Sequence, residues 1–216
     1  RDRFAELVHA PDSSRISIMP AVSYGIATVA QNLPMERGQK VIVVEDQFPS
    51  NVYAWKRRAE ATGARLDMIE APAEWNGRSR RWNERILEAI SAKTAVVALP
   101  HVHWADGTRF DLEAIGERAR DVDAAMVVDG TQSVGALPFD VTAIQPDALV
   151  CAAYKWLLGP YGLAFSYLGP RFDDGVPLEE TWIGRRGSED FRTLTDYEPA
   201  YQPGGARYDV GERSNP

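Results

Sequence analysis

Short β-branched runs alternate along this chain with longer segments of helical period, and that rhythm limits the fold more than any other feature. The runs are Ile16–Met19, Val41–Glu45, Arg65–Ile69, Ala95–Leu99, Ala125–Asp129, Ala148–Ala153 and Leu163–Tyr167. Strands separated by helices need crossover connections, which give a largely parallel sheet with helices on its faces. The expected fold class is therefore α/β, a three-layer sandwich around a mostly parallel sheet. Ile26, Val29, Ala30 and Leu33 follow the i, i+3, i+4, i+7 rule and predict a helix over 23–33. A second helix is expected over 51–61, ending at Gly63, and a third over 80–90 with Trp82, Ile86 and Ile90 on one stripe. A fourth covers 112–120, with Asp111 as its N-cap.

Beyond Gly169-Pro170 the periodic apolar pattern gives way to Gly, Pro, Arg and acidic residues. Two regions are expected: an α/β domain over 1–169, and loop and linker over 170–216 leading towards a further domain. The ends at Arg1 and at Asn215-Pro216 suggest part of a longer protein, lacking a stretch before Arg1 and a small domain after Pro216.

With 24 basic against 31 acidic side chains the net charge is −7, which argues against a general binder of nucleic acid or anionic membrane. No apolar run approaches the roughly 18 residues of a spanning helix. Cys151 is the single cysteine, so no intrachain disulfide forms, and a reducing, cytoplasmic setting is expected.

In open α/β sheets ligands sit beyond the carboxyl ends of the strands, so the polar residues there are the candidates. Only four basic residues are lysines, and Lys40, Lys56 and Lys93 have solvated contexts. Lys155 instead lies between Val150-Cys151-Ala152-Ala153-Tyr154 and Trp156-Leu157-Leu158. An ammonium is costly to keep charged in such surroundings, and a neutral lysine amine is the nucleophile a Schiff base needs. The plainer alternative is a lysine that reaches the surface or pairs with a buried carboxylate.

Asp129 closes a strong strand, with Gln132 three residues later. A carboxylate there either caps a turn or faces a cationic partner such as a pyridinium. At about 4 Å and an effective dielectric near 20 that attraction is ~4 kcal/mol, or about three pKa units. Ser23 follows a strand and a proline, where it serves as an N-cap or, with the free N–H groups of the first turn, as an anion site. His101 and His103 offer a rival reading, a divalent metal held with Asp106 and Asp129 in a hydrolase site, although His9 is the only other histidine. No G-x-G-x-x-G after a strand, P-loop or G-x-S-x-G elbow is present.

Two segments, Val127-Val128-Asp129-Gly130-Thr131-Gln132-Ser133-Val134-Gly135 and Tyr154-Lys155-Trp156-Leu157-Leu158-Gly159-Pro160-Tyr161-Gly162, taken in order after Ser23 and Phe48, carry a resemblance. The sequence resembles the class V aminotransferase family of fold-type-I pyridoxal phosphate enzymes, from about Ser14 to the end. The resemblance implies the cofactor pyridoxal 5'-phosphate and a Schiff base on Lys155. It further implies that Asp129 partners the pyridinium nitrogen and that Gln132 bonds the phenolic oxygen. Ser23 with the backbone at Tyr24 would hold the phosphate, Phe48 would stack on the ring, and the loop at His103 and Trp104 would approach from the side. Tyr154 belongs to the same implied cofactor-binding set.

Departures refine the branch. The desulfurase-like pattern Ser-x-His-Lys reads Ala152-Ala153-Tyr154-Lys155 here, and Phe48 stands where a histidine would cover the ring. The Tyr-Lys pair with Phe48 is more similar to the isopenicillin-N-epimerase-like and kynureninase-like branches. Glu212 stands where a threonine is common, and the arginine that reads the substrate carboxylate would lie outside this chain. The resemblance thus implies a homodimeric enzyme acting on an amino acid, as an aminotransferase or epimerase. The alternatives are a kynureninase-like or cysteine-desulfurase-like lyase, and a non-catalytic binding protein on the same fold.

Overall fold

The structure, a computed structural model, describes residues 1–211. Seven strands form one sheet: β1 (Ile16–Met19), β2 (Lys40–Val44), β3 (Arg65–Ile69), β4 (Thr94–Pro100), β5 (Ala125–Asp129), β6 (Ala148–Ala152) and β7 (Ala164–Leu168). Their order across the sheet is β1-β7-β6-β5-β4-β2-β3. Every neighbouring pair is parallel except those of β7, which runs antiparallel to both β6 and β1. The strong apolar runs are the central strands, buried on both faces, which is why they lack a polar alternation.

Alternate residues of each central strand feed two cores. Ile42, Val44, Val97, Leu99, Met126, Val128, Leu149 and Cys151 face one layer. That layer holds helices α1 (Asp2–Leu7), α4 (Arg78–Ala89) and α5 (Leu112–Arg120), with the short α6 (Val141–Ile144). Val41, Val43, Val96, Ala98, Ala125, Val127, Ala148 and Val150 face α2 (Val22–Asn32) and α3 (Tyr53–Thr62) on the other. The three layers follow from this alternation. Trp82, Ile86 and Ile90 are fully buried as the stripe required, Asp111 accepts from the Ala114 N–H as the N-cap of α5, and Gly63 closes α3 in the left-handed region at φ 76°.

After β7 the described residues hold no further strand or α-helix, only 3-10 turns. The last of these, Gly204–Tyr208, returns to the free edge of the sheet against β1. Tyr208 is buried there and its hydroxyl donates to the Phe172 carbonyl at 2.6 Å. Asp209, also buried, accepts from the Ile18 N–H at 2.8 Å and pairs with Arg1. Lacking helical or strand period, this return leaves no pattern in the sequence beyond isolated aromatic and acidic residues. Glu212 lies outside the described residues.

Candidate active site

The chain leaves β2 towards β3 on one side and β4 towards β5 on the other. That reversal opens a crevice at the carboxyl ends of β2 and β4, where open α/β sheets place ligands. A cleft lies there, and Ser23, Phe48, Asp129, Gln132, Tyr154 and Lys155 all line it. Among the described residues, Asp129 and Lys155 are its only charged lining residues, set among Pro20, Val22, Pro100, Val102, Trp104 and Leu163.

Asp129 ends β5 and is 7% exposed. Its Oδ1 accepts the Thr131 N–H at 3.0 Å, and no protein donor reaches Oδ2 among the described residues. Burial pushes its carboxyl above the usual range, against the lowering effects of Thr131 and of the Lys155 charge. Such a group favours a cationic N–H partner from the cleft side. Lys155 follows β6 and is half-buried. Its Nζ makes no hydrogen bond or ion pair among the described residues and lies 6.0 Å from the centre of the Phe48 ring. It is therefore neither a surface lysine nor one half of a contact ion pair.

Helix α2 starts at Val22, with Ala21 as an N-cap that offers no side-chain bond. Ser23 thus stands inside the first turn rather than at the cap, and its hydroxyl is not consumed in capping. The first-turn N–H groups face the cleft end of the helix, an arrangement that suits a phosphate. Phe48 is 40% exposed and meets the edge of Trp104 at 5.7 Å. Tyr154 stacks on Tyr161 at 4.3 Å.

His103 stands outside the cleft lining, and so does the Tyr24 side chain, while the Tyr24 backbone N–H, the group expected at the phosphate, stays in the first turn of α2. The partly buried Tyr24 side chain packs against the core beneath α2, away from the cleft lining, and its hydroxyl is buried without a hydrogen-bond partner among the described residues. Burial, with the Glu179 charge, holds that phenol above its ordinary value. His103 is 3% exposed and does not line the cleft; its Nδ1 lies 3.1 Å from Asp106 Oδ1 and its Nε2 3.1 Å from the Glu45 carbonyl. Its ring is thus occupied between two loops, while its neighbours Val102 and Trp104 reach the cleft.

The metal rival loses its donors for the same reason. His101 turns to the far side and packs against Phe139, and burial with the Arg109 charge pulls its imidazole down to about 4. No group of three or more His, Cys, Asp or Glu among the described residues could hold a metal ion. Cys151 is fully buried, and burial with the Asp129 charge pushes its thiol up to about 12, which disfavours the reactive thiolate and fits a packing residue.

Sequence reasoning did not single out Gln47, Ser50 or Thr131. Thr131 joins two strand ends: its N–H holds Asp129 and its Oγ1 accepts the Ala152 N–H at 3.2 Å. Gln47 accepts the Val44 N–H and donates to the Asn51 carbonyl at 2.7 Å, shaping the turn that carries Phe48 and Ser50. Thr131 lies in the quoted segment around Asp129, and Gln47 and Ser50 lie within two residues of Phe48; that proximity was the available signal.

The donor set fits pyridoxal phosphate: a buried carboxylate with an open oxygen, an unpaired amine, a helix start with a free hydroxyl and an aromatic face. The family model described as Aminotransferase class-V matches residues 1–179. An uncharacterized aminotransferase, YcbU of Bacillus subtilis (strain 168), is 29% identical over 88% of this chain and 49% of its own length. A probable cysteine desulfurase of Methanothermobacter thermautotrophicus is 31% identical over 94% of this chain and 50% of its own length. A kynureninase of Pseudomonas fluorescens is 30% identical over 93% and 45%. The chain spans about half the length of the curated relatives it matches. Among solved structures, the cysteine desulfurase CsdA from Escherichia coli superposes with a TM-score of 0.83 at 21% identity, covering 100% of this chain and 51% of that one, a likeness of fold.

Proposed function

Because this chain belongs to the class-V aminotransferase family, a pyridoxal-phosphate-dependent family, we propose that it holds the cofactor of an enzyme that acts on an amino acid through Lys155. The observation that carries the reading is the meeting of Lys155, Asp129 and the start of α2 at one cleft whose other walls, among the described residues, are uncharged. When bound, pyridoxal phosphate supplies an aldehyde for amines and a protonated pyridine ring that draws electrons from the substrate α-carbon. Asp129 would hold the proton on the ring nitrogen, since a buried carboxylate is stabilised by the N–H it pairs with. Ser23 and the first-turn N–H groups would bind the phosphate, Phe48 would cover one ring face, and Gln132 would hydrogen-bond a ring substituent. Lys155 Nζ would take the proton from the substrate α-carbon and return it.

The reaction type we favour is transamination or epimerisation. A kynureninase-like or desulfurase-like lyase is the second reading, motivated by the kynureninase and the probable desulfurase among the relatives. For a desulfurase, Cys151 is no candidate for the sulfur acceptor. We assign the whole protein as a cytoplasmic homodimer. No helix among the described residues is long and apolar enough to cross a membrane, and Leu158 and Tyr161, 90% and 83% exposed beside the cleft, offer apolar surface to a second subunit.

The test is titration of the full-length protein with pyridoxal phosphate, followed by its visible absorption. Wild type gains a band and Lys155→Ala does not; a colourless wild type would instead support the non-catalytic binding reading. Product analysis on amino acids then separates the reaction types: an oxo acid, an inverted centre or a released fragment.

A further inference from the structure

Two adjacent carbonyls precede Phe48, and each is held by a different side chain of the loop after β4. His103 Nε2 lies 3.1 Å from the Glu45 carbonyl, which only accepts, so that nitrogen carries the hydrogen. Trp104 Nε1 donates to the Asp46 carbonyl at 2.6 Å. Asp46 has a φ of 51°, a left-handed conformation uncommon for a non-glycine residue though accessible to aspartate, and the bond to its carbonyl helps to hold it. The His103 ring is itself fixed from behind. Asp106 faces its Nδ1 at 3.1 Å while accepting from Arg78 Nε at 2.9 Å and from the Thr108 N–H at 2.9 Å. Burial opposes ionisation of Asp106, yet Thr108, the His103 charge and Arg78 together hold its carboxyl below the usual range. Arg78 is in turn held between the Trp75 and Trp82 rings, and Trp82 packs on His103 at 5.2 Å.

We propose that His103 is a positioning residue: with Trp104 it clamps the backbone at Glu45 and Asp46 and thereby fixes the Phe48 ring over Lys155. Phe48 is 40% exposed at the cleft, with the Trp104 edge 5.7 Å from its ring centre and Lys155 Nζ at 6.0 Å, so the course of the backbone that carries it decides where the ring stands. The chain Arg78–Asp106–His103–Glu45 runs from the start of α4 to the rim of the cleft. It makes the rigid helix layer, rather than the loop, the reference for the ring. The proposal rests on the cofactor reading of this cleft only for its effect on binding; the placement of Phe48 is a property of the protein alone.

The test is a double-mutant cycle in the full-length protein, pairing His103→Leu with Phe48→Ala. The dissociation constant for pyridoxal phosphate comes from absorbance titration, and the Phe48 ring is followed by NMR in the cofactor-free protein. Placing an aromatic contact corresponds to about a two- to tenfold change in affinity, which His103→Leu should remove. In the Phe48→Ala background the same substitution should change affinity by less than about twofold, because the ring it positions is gone. Losses that multiply in the double variant would overturn the proposal. His103→Gln, which keeps a donor for the Glu45 carbonyl, should recover most of the loss. If His103→Leu does not fold, Trp104→Phe removes the bond to Asp46 while keeping an aromatic ring beside Phe48, and enters the same cycle. Should wild type bind no pyridoxal phosphate, the cofactor reading fails, and the NMR comparison still decides this one. Retained ring shifts in His103→Leu or Trp104→Phe refute it, and averaged ring shifts support it.

Discussion

Gly25 tests whether the sheet places the start of α2. The glycine sits in the first turns of the helix, and a Cβ added there would stand 2.7 Å from Val150 Cγ1, 3.1 Å from Met19 Sδ and 3.1 Å from Ser166 Oγ. Ordinary contact begins near 3.4 Å, so Gly25→Ala requires about 0.7 Å of relief (2.7 Å against 3.4 Å). Val150 is fully buried in β6 and cannot yield, which leaves the helix to move. Overpacking of this kind costs about 1–3 kcal/mol, offset by roughly 1 kcal/mol of gained helix propensity. With three simultaneous contacts the upper part of the range applies, for a net loss of about 1–2 kcal/mol. In a chain of this size that lowers the melting temperature by roughly 2–8 °C. The same shift would move Ser23 and the first-turn N–H groups off the cleft, weakening pyridoxal phosphate binding about fivefold or more. Calorimetry and absorbance titration on the full-length protein measure both. An unchanged or raised melting temperature with unchanged affinity would show that propensity outweighs the contacts and that β6 does not set the helix start.

Asp129→Asn has opposite effects on stability and function. Burial raises the Asp129 carboxyl pKa in the folded protein, so the native state binds the proton more tightly than the unfolded chain, and stability is lost as pH rises from 3.8 through the raised value. The asparagine keeps an acceptor for the Thr131 N–H and removes that loss. Without cofactor, urea denaturation should therefore show the variant's advantage over wild type growing from pH 4 to pH 8, while its affinity for pyridoxal phosphate falls; a variant less stable than wild type at pH 8 contradicts the assignment. Cys151, buried with its thiol pushed up to about 12, should resist a thiol reagent at pH 8 until the protein is unfolded, and rapid stoichiometric labelling of the native protein would disprove that environment. Tyr208→Phe removes the donor to the buried Phe172 carbonyl and should cost about 1–2 kcal/mol in denaturant unfolding; no measurable loss would mean that the returning segment is not anchored there.

How much of this was legible follows from what each signal encodes. Central strands buried on both faces announce themselves as apolar runs, so β2, β4, β5 and β6 were readable to within a residue or two. Direction is not written in such a run, and the antiparallel course of β7 emerges only from its pairing with β1 and β6. Helices α1 and α6, six and four residues long, are too short to show a period. Strand-end positions brought Asp129, Gln132, Tyr154 and Lys155 to one cleft with Ser23 and Phe48, because parallel strands carry their carboxyl ends to one edge. His103 differs from Trp104 by one position, yet one ring turns between loops and the other towards the cleft. That choice depends on where the β2 and β4 loops meet, which no local pattern contains. Tyr24 turned inward for a similar reason: α2 begins one residue before Ser23, and helical geometry then carries the next side chain to the core face.

The central claim is that Lys155 is the covalent anchor of a pyridoxal phosphate site. Full-length protein loaded with pyridoxal phosphate, reduced with borohydride, digested and mapped by peptide mass tests it directly. The added mass is expected on the peptide containing Lys155, at one equivalent per chain, and absent after reduction of Lys155→Ala. Stable labelling of another lysine, or undiminished labelling in the variant, would contradict the account.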